Sequence, residues 1–160
     1  MKQDRFLLGI LIGIGALVVL ALGLFFTRKD SAMQYAADDT PEGVVHNYVV
    51  AVFQRDYEKA YGYLADKENK PTLEQFRAAF LQNFVNPDNT AVDVGAAERN
   101  GDQAFVTMYV QYHSGDPFSS GGRSEERAVL IAQDGKWKLE QMPYNFWNWD
   151  WYQPTPKPIP

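Results

Sequence analysis

Residues 100–113, NGDQAFVTMYVQYH, decide how the rest of the chain is read. Asn100-Gly101 is the dipeptide that suits the left-handed backbone of a tight hairpin turn. Beyond it the side chains alternate. Ala104, Val106, Met108, Val110 and Tyr112 fall on one face of a strand, and Phe105, Thr107, Tyr109, Gln111 and His113 on the other. Upstream of the turn, Val92, Val94 and Ala96 share a face of the partner strand. Downstream, a Gly/Ser-rich loop near residues 114–123 leads to a strand at 124–133, and Asp134-Gly135 turns into another at 136–142. An antiparallel meander is therefore expected from Pro87 onwards.

Before Pro87 the apolar period is helical. Thr40 can cap, Pro41 suits the first helical position, and Glu42 complements the dipole. Val44, Val45, Tyr48, Val49, Val52 and Phe53 then make one stripe on a helix of about 14 residues. Asp56 opens a shorter helix carrying Tyr57, Ala60, Tyr61 and Leu64 on one face. Thr72 and Gln75 form a capping box for a third, with Leu73, Phe76, Phe80 and Phe84 on one side. Three helices followed by a meander give an α+β plan with the helices on one face of the sheet. Ala128 to Ala132 is apolar on both faces, so the sheet centre calls for a second cover. The carboxy-terminal segment, a second copy of the domain or a partner would supply it.

Towards the amino terminus, residues 6–26 form an unbroken apolar run of 21 residues after a five-residue tail. As a helix it would measure about 31 Å, enough to cross a bilayer core. It is too long for the apolar part of a signal peptide, and Thr27-Arg28-Lys29-Asp30 is no cleavage site. An uncleaved transmembrane anchor in a bacterial cytoplasmic membrane is expected, with the amino terminus inside and the domain outside. Residues 27–39 would be a linker. Gly9 and Gly13 form a G-x-x-x-G through which two such helices could pack.

Residues 31–160 carry 11 Lys and Arg against 18 Asp and Glu, a formal charge of −7. Such a surface argues against nucleic acid. The chain has no cysteine, which excludes disulfides, a thiolate nucleophile and a cysteine metal site. The chain beyond the anchor is long enough for one core.

From Thr40-Pro41-Glu42-Gly43-Val44-Val45 through Gln54-Arg55-Asp56-Tyr57-Glu58-Lys59-Ala60-Tyr61 the chain resembles the opening helices of the nuclear transport factor 2-like superfamily. Its small envelope members are the most similar. Thr72-Leu73-Glu74-Gln75-Phe76 and Asp134-Gly135-Lys136-Trp137-Lys138-Leu139 fit the same outline, so the resemblance covers about residues 40–142. It implies a curved antiparallel sheet wrapped on helices as a cone whose open end can hold a small molecule. That superfamily includes isomerases, dehydratases, cyclases, adaptors and proteins with no known chemistry, so the resemblance does not choose an activity.

The resemblance also implies where an acid–base site would lie, with an Asp and sometimes a His or Tyr inside the cone. Asp93, Phe105, Tyr109 and His113 are the ligand-pocket candidates, since His113 shares a face with Phe105 and Tyr109 and Asp93 lies on the neighbouring strand. His46 and His113 do not make a metal-ligand spacing, and Asn86-Pro87-Asp88-Asn89 lacks a full calcium loop. No phosphate loop, nucleophile elbow or dinucleotide fingerprint occurs, so neither a metal nor a cofactor is expected.

Tyr144, Phe146, Trp147, Trp149, Trp151 and Tyr152 place six aromatics in nine positions. In an extended segment the three tryptophans would project on one side. They suit self-packing, a protein interface or the lipid headgroup zone. Pro154 to Pro160 reads as polyproline II. The whole describes a single-pass anchored binding or accessory domain without catalysis, held by the bilayer through residues 6–26. Its partner would be a membrane protein or a second copy. The alternative is a small-ligand carrier or acid–base enzyme using the cone.

Overall fold

Local signals start each helix where the sequence places it. Thr40 Oγ1 accepts the Gly43 N–H at 3.1 Å and opens α2 (Pro41–Phe53). Asp56 caps α3 (Tyr57–Gly62), and the Thr72/Gln75 capping box opens α4 (Leu73–Leu81). They follow α1 (Arg5–Ser31) and precede β1 (Thr90–Asn100), β2 (Gln103–Tyr112), β3 (Arg123–Gln133), β4 (Lys136–Gln141) and a 3₁₀ turn at Tyr144–Phe146. This computed structural model describes residues 5–31, 34–113 and 121–154, with side chains for residues 9–24 of α1. Residues 1–4, most of the Gly/Ser-rich loop (114–120) and the end of the Pro-rich tail (155–160) lie outside the described residues.

The chain divides into two compact units, Met1–Gln34 and Tyr35–Pro160. In the first, α1 is helical across the whole apolar run. Among the described residues no helix is long and apolar enough to cross a membrane. A side chain placed at Gly9 or Gly13 would meet nothing within 4 Å.

The second unit starts earlier than the expected linker boundary. Asn47, 2% exposed, accepts the Ala36 N–H at 2.7 Å and donates to its carbonyl at 2.9 Å. The buried amide thus ties residues 35–37 to α2, and Tyr35 lies under the Lys59 ammonium, 3.2 Å from its ring centre.

The four strands form one antiparallel sheet in the order β1-β2-β3-β4. α2 lies on one face of it, against β1, β2 and β4, and α3 bridges α2 and α4. Between these layers Val45, Tyr48, Phe76, Met108, Leu130 and Phe146 are fully buried. The chain after α3 adds to the β4 edge through a parallel bridge between Leu64 and Leu139.

Three expectations shift. A bulge between Val94 and Ala97 means that Ala97, not Ala96, continues the helix-facing side of β1; Ala96 is exposed. The helix carrying Phe76 and Phe80 ends at Leu81, with Asn83 at φ +60°, so Phe84 falls outside it and is 72% exposed. Among the described residues the carboxy-terminal segment packs on the helices, with Phe146 against Phe53 and Trp151 against Phe76, rather than on the outer face of the sheet. Phe105, Tyr109, Val129 and Ile131 remain half-buried on that face.

Candidate functional site

The strand candidates meet, but on the outer face. Asp93 and Tyr109 are register partners. The Tyr109 ring lies against Gly95, where an added Cβ would be 3.3 Å from it, and the Arg123 guanidinium sits 4.7 Å from its centre. Arg123 also reaches Asp93 at 4.0 Å, with both side chains mostly in water. Phe105 is half-buried on the same face, and His113 is exposed just past the end of β2. Strand alternation turns this set away from the face that carries Ala104, Val106, Met108 and Val110, so it does not line an interior between sheet and helices.

The helix-facing side carries a polar cluster that sequence reading passed over. The Tyr112 hydroxyl lies 2.9 Å from Glu126 Oε1 and 3.2 Å from Asn145 Oδ1, and Ser124 Oγ donates to Glu126 at 2.7 Å. Burial, then hydrogen bonding with Tyr144, hold the Tyr112 hydroxyl well above the usual phenol range, with the Glu126 carboxylate adding to the effect. The missed signal was parity: Ser124 and Glu126 sit in register with Val110 and Met108, positions that face the helices. A carboxylate hydrogen-bonded to a tyrosine can move a proton, but the Ser124 and Tyr112 hydroxyls also satisfy it as a structural group.

The aromatic segment splits in two. Phe146, Trp147 and Trp151 are 0%, 7% and 6% exposed, and Tyr152 is half-buried. Trp151 stacks on Phe76 with centres 4.8 Å apart, and Trp147 stacks on Tyr152 at 5.8 Å. Tyr144 is 68% exposed and Trp149 is 83% exposed. The tryptophans do not share a side because the segment is not extended. Asn148 Oδ1 accepts the Asp150 N–H at 3.0 Å and the Asn148 carbonyl accepts from Trp151, closing a turn with Trp149 at its tip.

The turn is fastened at its far end. Tyr152 holds φ at +64°, a costly conformation for a bulky residue. Its hydroxyl donates to the Ala65 carbonyl at 2.6 Å and its N–H to the Asn69 carbonyl at 3.2 Å. Burial, then the charge of Asp66, push that hydroxyl above its ordinary range and keep it protonated as a donor. Between the turn and the chain before α4 runs a groove of about 620 Å³, lined by Asn69, Lys70, Gln75, Asn148, Trp149 and Gln153 among others. A smaller hollow of about 220 Å³ lies by Phe53, Tyr57, Phe80 and Asn83. Among the described residues no group of three His, Asp or Glu side chains is placed to hold a metal.

No family model matches the sequence, and no curated protein matches it. Among solved structures, a SEC-C motif-containing protein of Rhodopseudomonas palustris is similar over 66% of this chain and 79% of its own, at 14% identity and a TM-score of 0.48. An uncharacterised cystatin-fold protein of Novosphingobium aromaticivorans is similar over 66% and 100%, at 12% identity and a TM-score of 0.43. Likenesses this distant say nothing of activity. The second unit is a small α+β domain in which α2, α3 and α4 follow one another and α2 lies on one face of a four-stranded antiparallel sheet.

Proposed function

We propose that the protein is a single-pass, membrane-anchored binding domain outside the bacterial cytoplasmic membrane, without catalysis of its own and able to serve as an accessory subunit. The observation that carries this reading is Trp149, left 83% exposed on a fastened turn while its neighbours two residues away on either side are buried. A large rigid ring held ready at low entropic cost is the kind of side chain on which recognition centres. The apolar run at 6–26, helical within α1, supports the anchor, and basic residues at both ends would frame it. The nuclear transport factor 2-like reading of the fold rests on helix order, the capping box and the bulged meander.

The test extracts full-length wild-type protein and Trp149→Ala from native membranes in mild detergent and measures particle mass. Wild-type protein migrating with bound material in fixed ratio, and the variant migrating free of it, is the expected result. Two identical particles would overturn the reading. An acid–base enzyme is the second reading, favoured by Tyr112 and Glu126 on the helix-facing side. It requires a substrate turned over by the wild type and not by Glu126→Gln.

A further inference from the structure

We infer that the Trp149 groove binds a neutral saccharide chain, a deeper reading that rests on the binding-domain proposal above. Three features select this ligand class. The first is the platform: an exposed indole offers a flat face to the C–H face of a pyranose ring, and the rim of that ring carries hydroxyls pointing outwards.

The second is what stands around the platform. Asn69, Asn148, Gln75 and Gln153 bring neutral amides, which donate and accept as sugar hydroxyls and acetamido groups do. Gln75 uses its Oε1 to accept from Thr72 N–H at 2.9 Å, which fixes the amide in place. Asp150 adds a strong acceptor.

The third is the charge. Lys70, the cation of this lining, is engaged by Asp66 Oδ1 at 2.7 Å and by the Tyr61 ring at 4.5 Å. With that ammonium committed and the domain at −7, a phosphate or other anion finds no counter-charge here. A purely apolar ligand would strip water from five polar side chains without replacing it. A neutral sugar meets neither obstacle. The groove also keeps its shape: the Asn148 turn holds one wall, and the Tyr152 N–H, donating to the carbonyl of Asn69 (φ +59°), ties that turn to the chain before α4. Little ordering is then left to binding.

The experiment uses the full chain in a detergent without a sugar head group, with chitohexaose and cellohexaose as probes. Trp149 is the most exposed tryptophan, so its quenching by acrylamide reports occupancy, and titration calorimetry gives the affinity. Saturable binding of either probe is expected, with protection from acrylamide. Trp149→Ala should weaken it about tenfold or more, and Trp149→Phe, which keeps a ring, by less. Preference for the acetamido probe would place the source in an amino-sugar polymer, and equal binding in a plain glycan; either supports the inference. Absence of binding by the wild type at about 10 mM probe overturns it, as does binding that Trp149→Ala leaves unchanged. If the sugars fail while Trp149→Ala still releases bound material from the membrane particle, only the ligand class falls. If both fail, the binding-domain reading falls too.

Discussion

The Tyr48 hydroxyl donates to the Phe146 carbonyl at 2.7 Å, joining the middle of α2 to a residue 98 positions later, and both residues are fully buried. Burial is also what pushes that hydroxyl far above the ordinary phenol range, so it stays a donor at any physiological pH. The carboxy-terminal segment is therefore part of the core.

Replacing Tyr48 with Phe keeps the ring and its edge contact with Phe76 but leaves the Phe146 carbonyl without this donor. Stability should fall by about 1–3 kcal/mol, the cost of an unsatisfied buried acceptor. Urea denaturation of the wild type and variant measures it. A change within error would mean that water reaches the carbonyl.

Trp149→Ala and Trp151→Ala should part company. Trp151 packs on Phe76, Phe80 and Trp147, so its loss opens a cavity and is expected to cost about 3–5 kcal/mol. Trp149 faces water, and its loss should shift stability by no more than about 0.5 kcal/mol. Equal losses in denaturant titrations would mean that Trp149 is folded in as well.

Gly43→Ala tests the boundary of the folded unit. A Cβ there would run into the Ala37 carbonyl oxygen, a backbone atom held close by the Asn47–Ala36 pair. The variant should detach residues 35–39 from α2 and expose the backbone near Ala36. Proteolysis within this stretch should quicken, while the amide exchange of β2 and β3 stays slow.

The helices and the meander were legible because each carries its own signal. The Thr72/Gln75 box, Asn100-Gly101 and the alternation of residues 104–112 act within a few residues of themselves. What escaped depended on distant partners. The bulge that exchanges Ala96 for Ala97 is stabilised by Glu42, 55 positions away. The side on which Trp149 projects is set by a turn whose Asn148 signal is local, but whose fastening by Tyr152 to Ala65 is not. Alternation put Phe105, Tyr109 and His113 on one face of β2, but the register that sets Asp93 beside Tyr109 is a cross-strand fact, and alternation carries no label for which face meets the helices. Total apolarity favoured neither, since Phe105, Val129 and Ile131 match Val106, Ala128 and Leu130.

Glu42 makes the fold sensitive to acid at one definable point. Burial alone would raise its carboxyl, but its own N–H, the Ala97 N–H, the Thr40 hydroxyl and the Arg99 charge outweigh that and hold it below its ordinary value of 4.5. Its Oε1 accepts the N–H of Ala97, the residue at which pairing resumes after the bulge, at 3.0 Å. A carboxyl depressed in the folded state contributes stability that is complete above its unfolded value and is lost as pH falls through the folded one. Glu42→Gln keeps an acceptor for Ala97 but not the charge, so at neutral pH it should lose about 1 kcal/mol. The decisive measurement is the difference between wild type and variant in chemical denaturation, followed from about pH 7 to pH 3. The gap should close as Glu42 in the wild type takes up its proton. A gap that stays constant would mean that the carboxylate's charge does not hold the bulge.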